Sequence, residues 1–340
     1  MATNAPGTQA AVPLQITEDE AAVYDRQIRL WGLEAQQRMR NAAILVVRLK
    51  GVATEAVKNI VLAGIGRLVV LDGDNVTLED LGAGFFFRED DVGRNKADVA
   101  KSRIESLNPL VAVEALTGMS QLDHDHLDSL VQGVDMVCVT DMDRESLIRV
   151  NDACRRSGKP FYAGGSYGLL GYIFCDLMTH DYIAPDRNAP KDTAKNIKNT
   201  TSYVPLKTAL DYRWTGLTRR QTKELNPAAV FAVLALWEYQ STHGALPDAS
   251  DVAPALEQIV NALLAKAGVN QQAMPAVPKE LVETVATTAV HELSPVCAVV
   301  GGMLAQDILK ALAARESPII NFFVFDGHTG GGTVTRMNVP

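Results

Sequence analysis

The stretch "ILVVRLKGVATEAVKNIVLAGIGRLVVLDGDNV", residues 44–76, constrains the fold more than any other part of the chain. An apolar run from Ile44 to Val47 leads through a short turn into a helix-like segment. A second apolar run, Leu68 to Leu71, then ends in Asp72. Strand, loop, helix, strand, acid is the opening unit of a Rossmann-type nucleotide-binding domain. In a working loop of the form G-x-G-x-x-G, the first glycine permits the tight turn. The second lets backbone amides approach phosphate, and the third lets helix pack on strand. Here Arg48, Lys50 and Ala53 stand in the loop, with only Gly51 beside them. Two readings follow. Either the two cations bind phosphate in place of the amides, or the loop is a scaffold that no longer holds nucleotide. Asp72 occupies the position that suits a ribose hydroxyl, although an acid ending a strand is common.

The alternation continues along the chain. "NKADVAKSRIESLNP" reads as a helix stopped by Pro109, "VAVEAL" alternates as a strand does, and "VDMVCVT" (134–140) has buried-strand length. "ESLIRVNDACRRSG" is a helix closed by Gly158, and "KPFYAGGSYGLLGYIFCDL" gives two strands around a glycine-rich turn. Upstream, "TEDEAAVYDRQIRLWGLEAQQRMRNA" is charged and helix-prone, with a threonine and acids at its start. Strands alternating with helices predict an α/β fold, a mostly parallel sheet with helices on both faces. From about 179 the texture changes to a polar segment with prolines at 185, 190 and 205. Two strongly helical regions follow, "NPAAVFAVLALWEYQSTHG" and about 251–269. The pattern resumes with a long buried helix, "SPVCAVVGGMLAQDILKALAAR", and a strand, "NFFVFDG". Residues 17–178 and 290–338 are therefore expected to form the sheet domain, with 179–289 inserted as a helical segment. Residues 1–16 are expected to be a disordered leader. There is no internal repeat.

Bulk properties narrow the function classes. A length of 340 residues allows a large core, and 47% hydrophobic with 21% charged residues is the make-up of a globular protein. A net charge of -8 argues against nucleic acid as a partner, because phosphate contacts need a basic face. The four cysteines, at 138, 154, 175 and 297, form no C-x-x-C pair, which favours a reduced intracellular chain without a metal knuckle. The first residues lack the basic start and apolar core of a secretory signal, so secretion is not expected. No apolar run approaches the ~18 residues of a membrane span, so no membrane partner is expected.

Four segments together carry a resemblance. "YDRQIRLWG" (24–32), "LVVLDGDNVTLEDLGAGFFF", "DVGRNKADVA" and "SPVCAVVGG" are similar to the ubiquitin-like-protein activating enzymes. Among these the chain looks most like the non-catalytic subunits of the heterodimeric enzymes that activate SUMO, from about residue 17 to 337. The resemblance implies an adenylation-type fold and permits comparison at each site position. The family's glycine loop falls on 48–53. Its Asn-x-x-Arg-Gln element falls on Asp80 to Gly84, where the arginine that serves ATP phosphates has become Ala83 and the glutamine Gly84. The lysine of Gly-Arg-x-Lys-Ala is kept as Lys96. The magnesium-holding aspartate falls on Met142, flanked by Asp141 and Asp143, so a shift of one residue would restore that acid but none of the others.

What the resemblance implies is a chain with a degenerate pocket (Arg48, Lys50, Ala53, Ala83, Met142) that binds no cofactor or metal of its own. ATP and magnesium would sit in the catalytic partner subunit. Arg26, from "YDRQIRLWG", would reach across the heterodimer to that ATP. A planar, permanently charged guanidinium there balances phosphate charge as the C-terminal glycine carboxylate of SUMO attacks. The competing reading places Arg26 and Arg29, three apart, on one solvated or salt-bridged helix face. Thioester formation would use a cysteine of the partner, through which the conjugating enzyme is reached. Cys297, opening an apolar helix, reads as a packed thiol, as do the other three. His124 and His126, in "DHDHLD", read as solvated polarity, and the glycine-rich "YAGGSYGLLGY" and "DGHTGGGTV" as turns between strands. The resemblance implies residence in the nucleus, with the cytoplasm left open as a second compartment. Three alternatives stand beside this reading: a Rossmann-type oxidoreductase, a self-sufficient homodimeric adenylating enzyme, and the regulatory subunit for the cullin-modifying ubiquitin-like protein. The first needs the phosphate access that Arg48 and Lys50 obstruct, and the second needs the residues lost at 83 and 142. The third carries a much longer insertion.

Overall fold

A computed structural model describes residues 15–186 and 196–339, apart from the side chains at 124 and 125. The expected leader therefore falls almost wholly outside the described residues. Ten strands are present among them: β1 (Ala43–Val47), β2 (Arg67–Leu71), β3 (Ala112–Leu116), β4 (Met136–Thr140), β5 (Phe161–Tyr167), β6 (Leu170–Asp176), β7 (Thr179–Pro185), β8 (Asn196–Ser202), β9 (Phe322–Asp326) and β10 (Gly331–Thr335). Eight form one sheet in the order β10-β9-β6-β5-β4-β1-β2-β3. The run from β5 to β3 is parallel throughout, the doubly wound order 3-2-1-4-5. Antiparallel pairing adds β6, β9 and β10 at one side. The glycine-rich turn between β5 and β6 holds Gly168 at φ +58°, a left-handed position that suits glycine.

Alternate residues of the parallel strands enter two separate cores, the period-two signature of a sheet covered on both faces. Ile44, Val46, Leu68 and Val70 pack with the helices Gly51–Leu62, Lys96–Leu107 and Ser294–Ala313. Leu45, Val47, Val69 and Leu71 share the other core with the helices Arg144–Arg156 and Pro227–His243. The expectation of two-sided cover is met.

Two features depart from the sequence reading. The segment from 179 does not begin as helix: β7 and β8 pair as an antiparallel two-stranded sheet, Thr179 opposite Ser202. Only then come the helices, of which Pro227–His243, Ala253–Ala267 and Lys279–Thr288 are the longest. Their apolar faces join the sheet's own core, and Trp237 donates its ring N–H to Tyr167 Oη at 2.7 Å and packs edge-on against Tyr172. The second departure concerns Ser294–Ala313, which by length and composition is apolar enough to cross a membrane. Scattered glycines, Asp307 and Lys310 hid that in a search for unbroken apolar runs. Val296, Val300, Leu304 and Ile308 of this helix are buried in the core beneath the sheet.

Candidate functional site

The crevice to examine lies at the carboxyl ends of β1 and β4, where the strand order reverses. The loop that leaves β1 keeps the geometry of a phosphate loop while changing its chemistry. Arg48 sits at φ +63°, the left-handed position that a first glycine normally fills. Its guanidinium spans the crevice: Nη2 pairs with Asp74 Oδ2 at 2.8 Å, and Nη1 donates to the Asp141 carbonyl at 3.2 Å. The Arg48 carbonyl in turn accepts from Thr140 Oγ1 at 2.8 Å. Arg48 is thus a strap between the ends of β2 and β4.

The acid at the end of β2 is turned inward as well. Asp72 is buried, with Oδ2 accepting from Leu49 N at 2.6 Å and Oδ1 from Asp74 N at 2.8 Å. Burial pushes its carboxyl above the ordinary range, with those two amides opposing the rise. Both oxygens are engaged in holding the loop.

Ala53 is fully buried, and the close helix packing that a third glycine would give comes instead from Gly301 on the opposing helix. A Cβ at Gly301 would lie 2.5 Å from Val52 O. Ala83 ends the short helix Asp80–Ala83 and places its methyl 3.0 Å from where a Gly51 Cβ would be. Lys96 Nζ meets Asp80 Oδ1 at 2.7 Å, with each side chain only 5% exposed. The other Asp80 oxygen accepts from Thr77 N and Oγ1. Met142 is buried in the core of the opposite sheet face. Of the acids beside it, Asp143 caps the helix Arg144–Arg156 by accepting from Ser146 N at 2.9 Å. Asp141 turns to the crevice, where Oδ1 accepts from Ser166 N at 3.3 Å and Oδ2 is buried with no hydrogen-bond partner among the described residues.

A residue that sequence reasoning missed completes the arrangement. Glu292, just before the helix Ser294–Ala313, accepts from Gly51 N at 2.8 Å through Oε1. Burial, and next the charge of Asp141, push its carboxyl up to about 7. Lys50 stands between these acids: burial disfavours its charge, but Asp141 and Glu292 outweigh that and hold the ammonium above its usual range. The two partners, Gly51 and Glu292, are 241 positions apart. "HEL" in the sequence carries no local signal, and only a pairing between distant positions would have found it.

Arg26 lies outside this crevice. It is exposed on the helix Asp25–Trp31 and makes no hydrogen bond or ion pair among the described residues. Arg29, by contrast, pairs with Asp25 at 2.9 Å. The helix is anchored by Tyr24, 2% exposed, whose Oη accepts from Asn108 Nδ2 at 2.8 Å. On the same N-terminal helices Val23, Leu30 and Leu33 are 68%, 78% and 56% exposed, beside the exposed Arg29–Asp25 pair.

All four thiols are free and buried. Burial pushes Cys138 and Cys297 up to about 12, and Cys154 and Cys175 also rise, so each is held as the poorly nucleophilic thiol. Cys297 thus gains nothing from its place at a helix start. His126 is exposed, and the side chain of His124 lies outside the described residues. Among the described residues no three His, Cys, Asp or Glu side chains are grouped to hold a metal.

Comparison with known proteins identifies the family and the fold. Residues 24–339 match the model of the ThiF family. "SUMO-activating enzyme subunit 1" of Xenopus laevis is 35% identical over 341 residues, 94% of this chain and 96% of that protein. The Homo sapiens protein of that name is 35% identical over 340 residues, and the Danio rerio one 36% over 341. Among solved structures, selenomethionine PaaA superposes with a TM-score of 0.59 at 15% identity, covering 98% of this chain and 78% of that one. E. coli MccB with succinimide superposes at 0.56 and 16% identity, covering 93% and 71%. The likeness to these two extends to the fold.

Proposed function

The chain belongs to the ThiF family, and from that premise we propose that it is the non-catalytic subunit of a heterodimeric SUMO-activating enzyme. With a catalytic partner subunit it supports ATP-dependent adenylation of the SUMO C-terminal glycine, followed by thioester formation on a partner cysteine. The observation that carries this reading is the contrast between two groups of cations. Arg48 and Lys96 are engaged within the chain's own crevice, in pairs with Asp74 and Asp80, while Arg26 stands exposed with no partner among the described residues. ATP and magnesium belong to the partner's site, the buried thiols leave the nucleophile to the partner, and the assembly works in the nucleus.

The test is pyrophosphate exchange in the presence of SUMO. The chain alone is expected to show none. In the reconstituted heterodimer, Arg26→Ala should leave assembly intact by size exclusion. It should slow exchange about 10- to 1,000-fold, below the range of arginine fingers in phosphoryl transfer because magnesium shares the charge. Arg26→Lys should restore only part, since a point charge lacks the planar fork. Full exchange by the Arg26→Ala heterodimer would reduce the chain to a structural partner, and adenylation by the chain alone would overturn the reading.

A further inference from the structure

The helix Gly51–Leu62 still presents what a phosphate loop exists to present: a first-turn amide at the positive end of a helix dipole. The chain itself fills the space in front of it. Glu292 Oε1 accepts from Gly51 N at 2.8 Å. A Cβ built on Gly51 would lie 2.7 Å from Cys297 Sγ, 3.0 Å from Ala83 Cβ and 3.1 Å from Glu292 Oε1. Glycine is kept at 51 because a carboxylate, a sulfur and a methyl converge on it. Charge argues the same way. Lys50 faces Asp141 and Glu292, and Asp141 Oδ2 is buried there without a hydrogen-bond partner among the described residues. Arg48, Lys50 and Lys96 are matched there by Asp74, Asp80, Asp141 and Glu292, which leaves no surplus positive charge for a polyphosphate.

We propose that Glu292 is a built-in stand-in for a nucleotide phosphate, seated on the Gly51 amide and closing the pocket by occupying it. This rests on the reading of the chain's own pocket as non-adenylating and supplies its physical cause. Oxyanion binding at the helix terminus is blocked by an internal carboxylate, and it returns when that carboxylate is removed. The ligand class excluded is phosphate and polyphosphate. Because Glu292 adjoins the helix Ser294–Ala313, the same contact ties the loop to that helix.

The experiment compares the full wild-type chain with Glu292→Ala and Glu292→Gln by titration with pyrophosphate. It is run near pH 8, where the carboxyl is ionised. Calorimetry gives the affinity, and the Gly51 amide resonance in glycine-labelled protein gives the place. Glu292→Ala is expected to bind at least ~10-fold more tightly than wild type, the scale of one charge-assisted hydrogen bond. The Gly51 resonance should shift along the same isotherm. Glu292→Gln keeps an acceptor without the charge and should fall between the two. Affinity equal to wild type in folded Glu292→Ala, or tighter binding that leaves Gly51 unmoved, overturns the proposal. If Glu292→Ala does not fold, the nearly isosteric Gln variant decides by the same criterion. Equal affinities with a wild-type chain inactive in exchange sink this proposal alone, whereas exchange by the wild-type chain sinks the functional reading.

Discussion

Lys96, kept from the Gly-Arg-x-Lys-Ala motif, has its ammonium locked on Asp80 at 2.7 Å, and both side chains are nearly inaccessible. Removing one member of such a pair leaves the other charge buried and uncompensated, which costs about 3–5 kcal/mol. Lys96→Met is expected to lose stability of that order in urea unfolding, and the double variant Lys96→Met/Asp80→Asn to recover most of it. A Lys96→Met chain as stable as wild type would show that the pair is not what holds this corner. Legibility at this scale followed sequence distance. Arg26 could be singled out as a candidate because its motif is contiguous, and the substitutions at 48, 50, 53 and 83 were visible because the loop and the element at 80–84 are short and local. Glu292 could not, because its partner amide is remote in sequence and a single acid before a helix is unremarkable. Met142 and its neighbours were ambiguous until the backbone turned Asp141 to the crevice and Asp143 to a helix cap.

Between elements, the helices Gly51–Leu62 and Ser294–Ala313 pack closely enough for a side chain to be intolerable at Gly301. A Cβ there would meet Val52 O at 2.5 Å and Glu55 Cβ at 2.7 Å, whereas one at Gly302 would meet nothing within 4 Å. Alanine in a helix interior is otherwise favoured over glycine by roughly 1 kcal/mol. Gly302→Ala is therefore expected to raise thermal stability slightly. Gly301→Ala should lower it by about 1–3 kcal/mol, the scale of overpacking. Equal effects at both positions would mean that the helices part without cost. Hydrophobic period made these elements readable: the strands and the long terminal helix stand where the apolar runs put them. The pairing of β7 with β8 was not readable, because their residues are mostly polar. Nor was the place of β9 beside β6, since no local pattern records which distant strand an apolar run will join.

Over the whole molecule, buried carboxyls set a pH dependence opposite to that of surface ion pairs. Asp307 is buried on the helix Ser294–Ala313, accepting from Tyr162 Oη and Ile319 N, each at 2.8 Å. Burial pushes it up to about 6 despite those donors, and Glu292 rises to about 7. A folded-state value above the unfolded one means that the folded chain holds its proton longer. The stability from these groups is complete below the ordinary carboxylate range and is lost as pH rises through about 6 and then about 7. Glu20, lowered by the Thr17 amide and Arg40, and Asp91, lowered chiefly by Arg103, act in the opposite sense only at more acid pH. Urea unfolding of the isolated chain is expected to show stability falling between about pH 5.5 and 8 by on the order of 2 kcal/mol. Asp307→Asn should flatten the lower part of that fall, and an unchanged slope in the variant would assign the loss elsewhere. The sheet order has a consequence in time. On the side away from β5, β6 pairs with β9, Leu170 opposite Asp326, so its second neighbour is synthesised long after β6 itself. At synthesis rates of about 5–20 residues per second, an apolar strand edge stays open for on the order of ten seconds in every nascent chain. That interval, during which the helix Ser294–Ala313 and β9 do not yet exist, is when the polypeptide is most exposed to pairing with the wrong neighbour.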